Sequence, residues 1–229
     1  MAKNFQAAFD LSGAAARFTL ADADGKLLAH AQKAMRRHEA ATLADFILET
    51  VHRFGGEITD VVRWTVGTGP GSFTGMRLAA ALAAGLSHGR SEVKTRGVPT
   101  ATAISACGAP ELPAGSRIAV LFDGRNHEML LYPVRRNAAG LDIGDGEGEV
   151  LNQEQAEKRF AEAEFDAILA QENESAAVTA LLAPETAAKV RPVADFDLMP
   201  LVRAEKAFDN NLQELIYIRP AVFPTARDH

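Results

Sequence analysis

The residues with the most chemical promise lie in one short run. Gly67-Thr68-Gly69-Pro70-Gly71-Ser72-Phe73-Thr74-Gly75 stands between an apolar stretch and an alanine-rich one. Backbone amides at such a strand-to-helix junction can bind anions. The glycine spacing nevertheless fits neither common nucleotide pattern. A P-loop needs a lysine before its Ser or Thr, and no lysine occurs between Lys33 and Lys94. The dinucleotide pattern fails because Gly67 and Gly69 are followed by Ser72, and Gly69 and Gly71 by Thr74. On pattern alone, a tight turn whose glycines meet backbone demands is the better reading.

Other chemistry is thinly supplied. Asp10 and Asp123 each follow a predicted strand, where a carboxylate can face a cleft or bond the amides of its own turn; both readings stay open. His30, His38, His52, His88, His127 and His229 include no pair spaced for one helix face, so no metal site is expected and each reads as a solvated surface residue. The single cysteine, Cys107, has no partner for a disulfide and reads as a small buried apolar residue. No nucleophile and base are set at a telling spacing, so no catalytic residue is assigned.

Composition narrows the partners. With 30 acidic against 24 basic residues in 229, the chain lacks the basic excess by which a protein grips many phosphates alone. Any work on RNA is expected to pass through a partner. The start of the chain has no apolar leader, and Leu78 to Leu86 is too short to span a bilayer. A cytoplasmic protein with no membrane role is expected.

Elements must position these residues. Phe5–Phe9, Ala15–Leu20 and Lys26–Gln32, separated by Asp- and Gly-rich turns, predict a meander of three strands. The spacing of Leu43, Phe46, Ile47, Thr50, Val51 and Phe54 predicts a helix over Glu39–Phe54, with Ala41, Ala44 and Leu48 as a second row and Gly55-Gly56 as its stop. Val61–Val66 reads as a buried strand. From Thr74 to His88 a helix follows with Leu78, Leu82 and Leu86 on one row and Gly75, Ala79 and Ala83 on the next. Such a helix is apolar almost all round and needs cover on two sides, one from its own sheet and one from another helix. Val93–Gly97, Ile118–Phe122 and Glu128–Val134 read as strands, and Pro99 as part of the first turn of a helix over Thr100–Cys107. Residues Gly108–Gly115 read as a linker, and Asn137–Glu149 as a loop or hairpin. Asn152 with Gln155 forms a capping-box pattern for a helix reaching Ala163, and the chain closes on a strand-like Leu215–Val222. The sequence shows no internal repeat at fixed period, and the alternation implies an α/β fold with mixed sheets in two related lobes.

The run Trp64 to Leu86 resembles the signature of the TsaB (YeaZ) family, in which a strand leads into Gly-x-Gly-Pro-Gly-Ser-Phe-Thr-Gly-x-Arg and a helix of small residues. Gly69, Pro70, Gly71, Ser72, Phe73, Thr74, Gly75 and Arg77 carry the match. Phe9-Asp10-Leu11-Ser12 is similar to the family's Asp-Thr-Ser turn, with Leu11 in place of threonine. Phe122-Asp123-Gly124-Arg125 before Glu128 is similar to its Asp-Ala-Arg, with Gly124 in place of alanine. Ile216-Tyr217-Ile218-Arg219 with Val222 resembles its closing segment.

The resemblance implies a two-lobe actin-like and Hsp70-like (ASKHA) fold, with lobes at 1–108 and 109–229 and a tail returning to the first. It implies a non-catalytic scaffold or activating subunit that pairs with TsaD, the threonylcarbamoyl transferase acting on an adenosine beside the anticodon of tRNA. TsaD carries a His-x-x-x-His metal motif that this sequence lacks. The implied partner face is the first-lobe helices, through Leu43, Ile47, Val51, Gly75, Leu78, Ala79, Leu82, Ala83 and Leu86. Pairing is expected as a heterodimer with TsaD, with TsaE joining a larger complex, a homodimer when alone, and tRNA reached only through the complex. No cofactor of its own is expected, and a nucleotide at the subunit boundary stays open. The alternative is a nucleotide-binding remnant of an actin-like small-molecule kinase.

Overall fold

The computed structural model describes residues 3–35, 42–212 and 214–216. The predicted meander forms β1 (Phe5–Asp10), β2 (Ala15–Ala21) and β3 (Leu27–Ala34), each antiparallel to the next. Helix α1 (Leu43–Arg53) then crosses to β4 (Val61–Gly67), which lies parallel to β1. Gly55, at φ 70°, takes the left-handed conformation that ends α1. The predicted start of this helix, Glu39 to Ala41, lies outside the described residues. Helix α2 (Phe73–Ser87) leads to β5 (Lys94–Val98), and the sheet order is β3-β2-β1-β4-β5.

The second half repeats the plan. Helix α3 (Thr100–Gly108) is followed by β6 (Arg117–Arg125), β7 (Glu128–Arg136), β8 (Asp142–Gly144) and β9 (Glu149–Leu151). Next come α4 (Gln153–Glu162), β10 (Ala167–Gln171), α5 (Glu172–Thr179), α6 (Pro184–Ala187), β11 (Val190–Val193) and α7 (Met199–Arg203). The second sheet has the order β11-β10-β6-β7-β8, with β9 also paired to β7. A central strand paired antiparallel on one side and parallel on the other occurs in both sheets, at β1 and at β6.

Strand alternation sorts the core into three layers. Phe5, Ala7 and Phe9 face α1 and α2, together with Phe18, Trp64, Ala79 and Ala83. Ala8, Ile118, Val120 and Phe122 point into the space between the sheets, which α3 and α7 fill. Ala119, Leu121 and Ile168 pack beneath α4 and α5 with Ala156 and Val178. Phe9 meets Trp64 edge to face, ring centroids 5.9 Å apart, a geometry that adds about 1 kcal/mol to the burial of either ring.

Local chemistry explains several boundaries. The Asn152 side chain accepts from the Gln155 amide at 2.9 Å, and the Asn152 amide donates to the Gln155 side chain at 3.0 Å, completing the predicted capping box. Pro99 stands at the N-cap of α3 instead of within its first turn. Strands β6 and β7 extend beyond their predicted ends, so the turn between them narrows to Asn126-His127, both at positive φ.

Two buried arginines tie distant segments. Arg96 on β5 donates to Thr65 Oγ1 and to the carbonyls of Leu201, Val202, Ala204 and Lys206, and stacks on Phe208 at 4.1 Å. Arg136 grips Asp142 through two bonds, 2.7 and 3.1 Å, and donates to the carbonyls of Ala109, Pro110 and Leu112 in the predicted linker. The segment after α7 therefore lies along the first sheet's edge. There the Asn210 amide donates to the Thr95 carbonyl at 3.0 Å, and the Thr95 amide to Asn210 Oδ1 at 2.8 Å. The Ile216 amide donates to the Thr68 carbonyl at 3.0 Å. Of the predicted closing strand, Tyr217 to Val222 lies outside the described residues.

Candidate functional site

The glycine-rich run joins β4 to α2 and is packed from beneath by the turn after β1. A Cβ added at Gly67 would strike Asp10 and Thr100, at Gly71 the Ser12 carbonyl, and at Gly75 the Leu11 carbonyl. Gly71 also takes φ 153°, and the Gly69-Pro70 bond is cis. Ser72 caps α2, its hydroxyl accepting from the Gly75 amide at 3.2 Å while its own amide donates to the Ser12 carbonyl at 2.7 Å. Arg77, one turn on, stacks on Phe73 at 3.8 Å. The glycines are thus spent on bringing two backbones together, as the tight-turn reading requires.

Asp10 is the hub of that contact and is 1% exposed. Its Oδ1 accepts from the Thr100 hydroxyl at 2.7 Å and from the Ser12 amide at 3.3 Å. Thr100 Oγ1 in turn accepts from the Gly69 amide at 3.2 Å, and the Thr100 amide donates to the Gly69 carbonyl at 2.8 Å. Burial pushes the Asp10 carboxyl above its ordinary range, against the pull of Thr100, Ser12 and Arg17. Asp123, its counterpart near the end of β6, keeps its carboxylate for its own turn, accepting from the Arg125 amide at 2.8 Å.

The strand ends of both halves meet near Arg17, a residue the sequence reading passed over. Arg17 pairs with Asp10 in the β1–β2 register, stacks on Phe196 at 4.0 Å and is 6% exposed. Its signal in the sequence was an arginine inside an apolar strand, opposite an aspartate. Gln171, at the end of β10, comes close to Gly13 beside Arg17. Glu174 accepts from the Asp123 amide at 3.0 Å, and its carboxyl is raised by burial. His30 is not the surface residue expected: it bonds Thr19 at 3.3 Å and approaches Asp195 at 3.5 Å. Cys107 is half-buried, not fully buried, and burial pushes its thiol up to about 11. Among the described residues, no three His, Cys, Asp or Glu side chains gather as metal ligands.

The proposed partner face needs correction. Leu43, Ile47, Val51, Ala79 and Ala83 are at most 3% exposed and belong to the core under the first sheet. Gly75 is spent against Leu11. These six cannot be offered to a partner. Leu78, Leu82 and Leu86 are half-buried at the edge of that core. The outward positions are Ala44, Asp45, Glu49, His52 and Arg53 on α1 and Thr74, Arg77, Ala81, Ala84 and Gly85 on α2, with Leu48 half-buried. The small row faces inward because Phe9 and Trp64 already fill the space above the sheet, so the helix must bring its least bulk there. A groove of mixed polar and apolar lining, about 600 Å³ in volume, runs beside α2, between Ala80, Ala84 and His88 and the returning Asn210–Leu212. No helix among the described residues is long and apolar enough to cross a membrane.

Comparison with known proteins places these features. The family model for TsaD, tRNA N6-adenosine threonylcarbamoyltransferase, matches residues 29–181. The tRNA threonylcarbamoyladenosine biosynthesis protein TsaB of Escherichia coli K12 is 30% identical over 137 residues, 60% of this chain and 58% of that protein. The match therefore spans less than two thirds of that relative. Two solved structures from Pseudomonas aeruginosa share the fold. A protein with similarity to peptidase YeaZ aligns at TM-score 0.69 and 20% identity over 87% of this chain and 88% of its own. YeaZ aligns at TM-score 0.60 and 22% identity, over 73% and 75% respectively.

Proposed function

The chain belongs to the TsaD-related family, in its TsaB (YeaZ) branch, and from that premise we propose that it is a non-catalytic scaffold in the tRNA threonylcarbamoyladenosine modification complex. Its partner in this reading is TsaD, bound as a heterodimer in the cytoplasm, with TsaE joining the larger assembly and tRNA reached through the complex. Each sheet with its helices is read as one lobe of an actin-like pair, a reading supported by the doubled strand order.

The observation that carries the proposal is the use made of the signature loop. In a nucleotide-binding relative its glycines would open a cradle for phosphate. Here Gly67, Gly71 and Gly75 close onto Asp10, Ser12 and Leu11, leaving no room for even a Cβ. The loop fixes the position of α2, whose exposed residues apart from Arg77 are the small Thr74, Ala81, Ala84 and Gly85. Small residues let a partner helix approach closely.

Co-purification with TsaD, followed by size exclusion with light scattering, tests the reading. A mixed complex is expected, and Ala81→Glu or Ala84→Glu is expected to disperse it while the chain stays folded. A chain that ignores TsaD, or whose TsaD complex survives both substitutions, would refute the proposal.

A further inference from the structure

Three arginines are buried among the described residues, and one is treated differently from the others. Arg96 and Arg136 are saturated, each donating to several carbonyl or carboxylate oxygens. Arg17 Nε and Nη1 are buried without a hydrogen-bond partner among the described residues, and so is Asp10 Oδ2 beside them. Buried polar groups are seldom left so, and each such case calls for a physical account.

The surroundings supply one. Asp10 and Arg17 are cross-strand neighbours on the face that looks toward the second sheet. Direct cross-strand side chains lie about 5 Å apart at Cβ, yet no direct ion pair forms between these two. The guanidinium instead lies flat on Phe196, from the segment between β11 and α7, at 4.0 Å. Carboxylates act on it from three elements: Asp10 on β1, Asp195 beside Phe196, and Glu174 on α5. The other charged or titratable groups facing this cluster are Arg125 and Asp123, near Glu174, and His30, near Asp195. Gln171 and Gly13 close the remaining side.

We propose that Arg17 is the resident counter-ion of the seam, a cation built into the first half that holds the second half closed on it. The guanidinium is kept in place by the field of carboxylates from both halves and by the Phe196 face, and not by fixed bonds. Its two unpartnered N–H groups and Asp10 Oδ2 are the right complement for one ordered water between them. Take the cation away, and Asp10 loses its counter-charge while Glu174 keeps Arg125 and Asp195 keeps His30 on their far sides, so the halves should loosen along this line. The inference stands independently of TsaD binding.

A double-mutant cycle of Arg17→Met with Glu174→Gln tests it. R17M alone is expected to lower the melting midpoint by about 6–12 °C, the scale for breaking a buried charge pair in a chain of this size. Amide exchange should quicken in α5 and in residues 194–198, across the seam, as well as in β2. In the E174Q background the same substitution should cost less than half as much, because one of the carboxylates acting on Arg17 is gone. Equal losses in both backgrounds, or faster exchange confined to the first sheet, would overturn the proposal. If R17M does not fold, Arg17→Lys keeps the charge and takes its place in the exchange measurement. Because the cation stays, R17K should fold and keep slow exchange in α5 and in residues 194–198, and quickened exchange there would be equally fatal.

Discussion

Helices α2 and α4 both pack on the outer face of a sheet, α2 between β4 and β5 and α4 ahead of β10, and are dressed for different surroundings. Helix α4 is built for water. It opens with a reciprocal capping box, buries Ala156 and turns Glu154, Glu157, Lys158 and Glu162 outward, the last two 3.8 Å apart as an i,i+4 pair. Helix α2 has no acidic residue in its first turn and no basic residue in its last, and its outward side is mostly Ala81, Ala84 and Gly85. A helix that owes so little to its own surface chemistry is held by packing from below. Repetition of a plan therefore does not imply repetition of a role: one outer layer ends the molecule, and the other is shaped to be covered.

The sharpest way to test that contrast is to charge α2 on each side. Ala83→Glu buries an unpaired carboxylate under Trp64 and should cost more than about 4 kcal/mol, seen as loss of a cooperative melt. Ala81→Glu, two positions away and outward, should shift stability by less than about 0.5 kcal/mol while weakening TsaD binding about tenfold or more in a titration. Similar stability losses for both would erase the distinction between inner and outer rows. On α4, Asn152→Ala should cost about 1 kcal/mol in denaturant unfolding through the lost cap, with TsaD affinity unchanged.

The sequence made the strands, the capping box and α2 itself legible, because each is written in local signals: alternation, a three-residue spacing, a run of small residues after glycines. Which row of α2 faces inward was not local. Ala79 and Ala83 look like a docking stripe until Phe9 and Trp64, from two other strands, are seen to occupy the space over the sheet. The same holds for the seam. Asp10 was marked as cleft or turn, and it serves the turn, but its bond to Thr100 spans 90 positions, and nothing in either neighbourhood announces the other. Arg17 went unmarked, and His30 was read as a surface residue, for the same reason.

A smaller effect belongs to the turn after β1. Burial raises the native pKa of Asp10, so its contribution to stability is complete below the usual carboxylate range and is lost as pH rises through the raised value. Asp10→Asn should remove that dependence, flattening the stability profile above the usual carboxylate range in a pH series of denaturant unfolding. A variant profile that still falls with pH as the parent's does would mean that the buried carboxyl does not set it.

The Arg96 clamp carries a consequence for how the molecule is made. The guanidinium of β5 waits for the carbonyl of Leu201, 105 positions downstream. At ordinary ribosomal speeds of about 5–20 residues per second, that delay is about 5–20 s. Throughout that interval the nascent first sheet exposes the edge that Asn210 later covers, together with a cation that has not yet met its acceptors. Such an open border is an invitation to pair with a neighbouring nascent chain. The emergence of residues 201–210 is therefore the step that seals the first sheet, and chaperone demand should be greatest just before it.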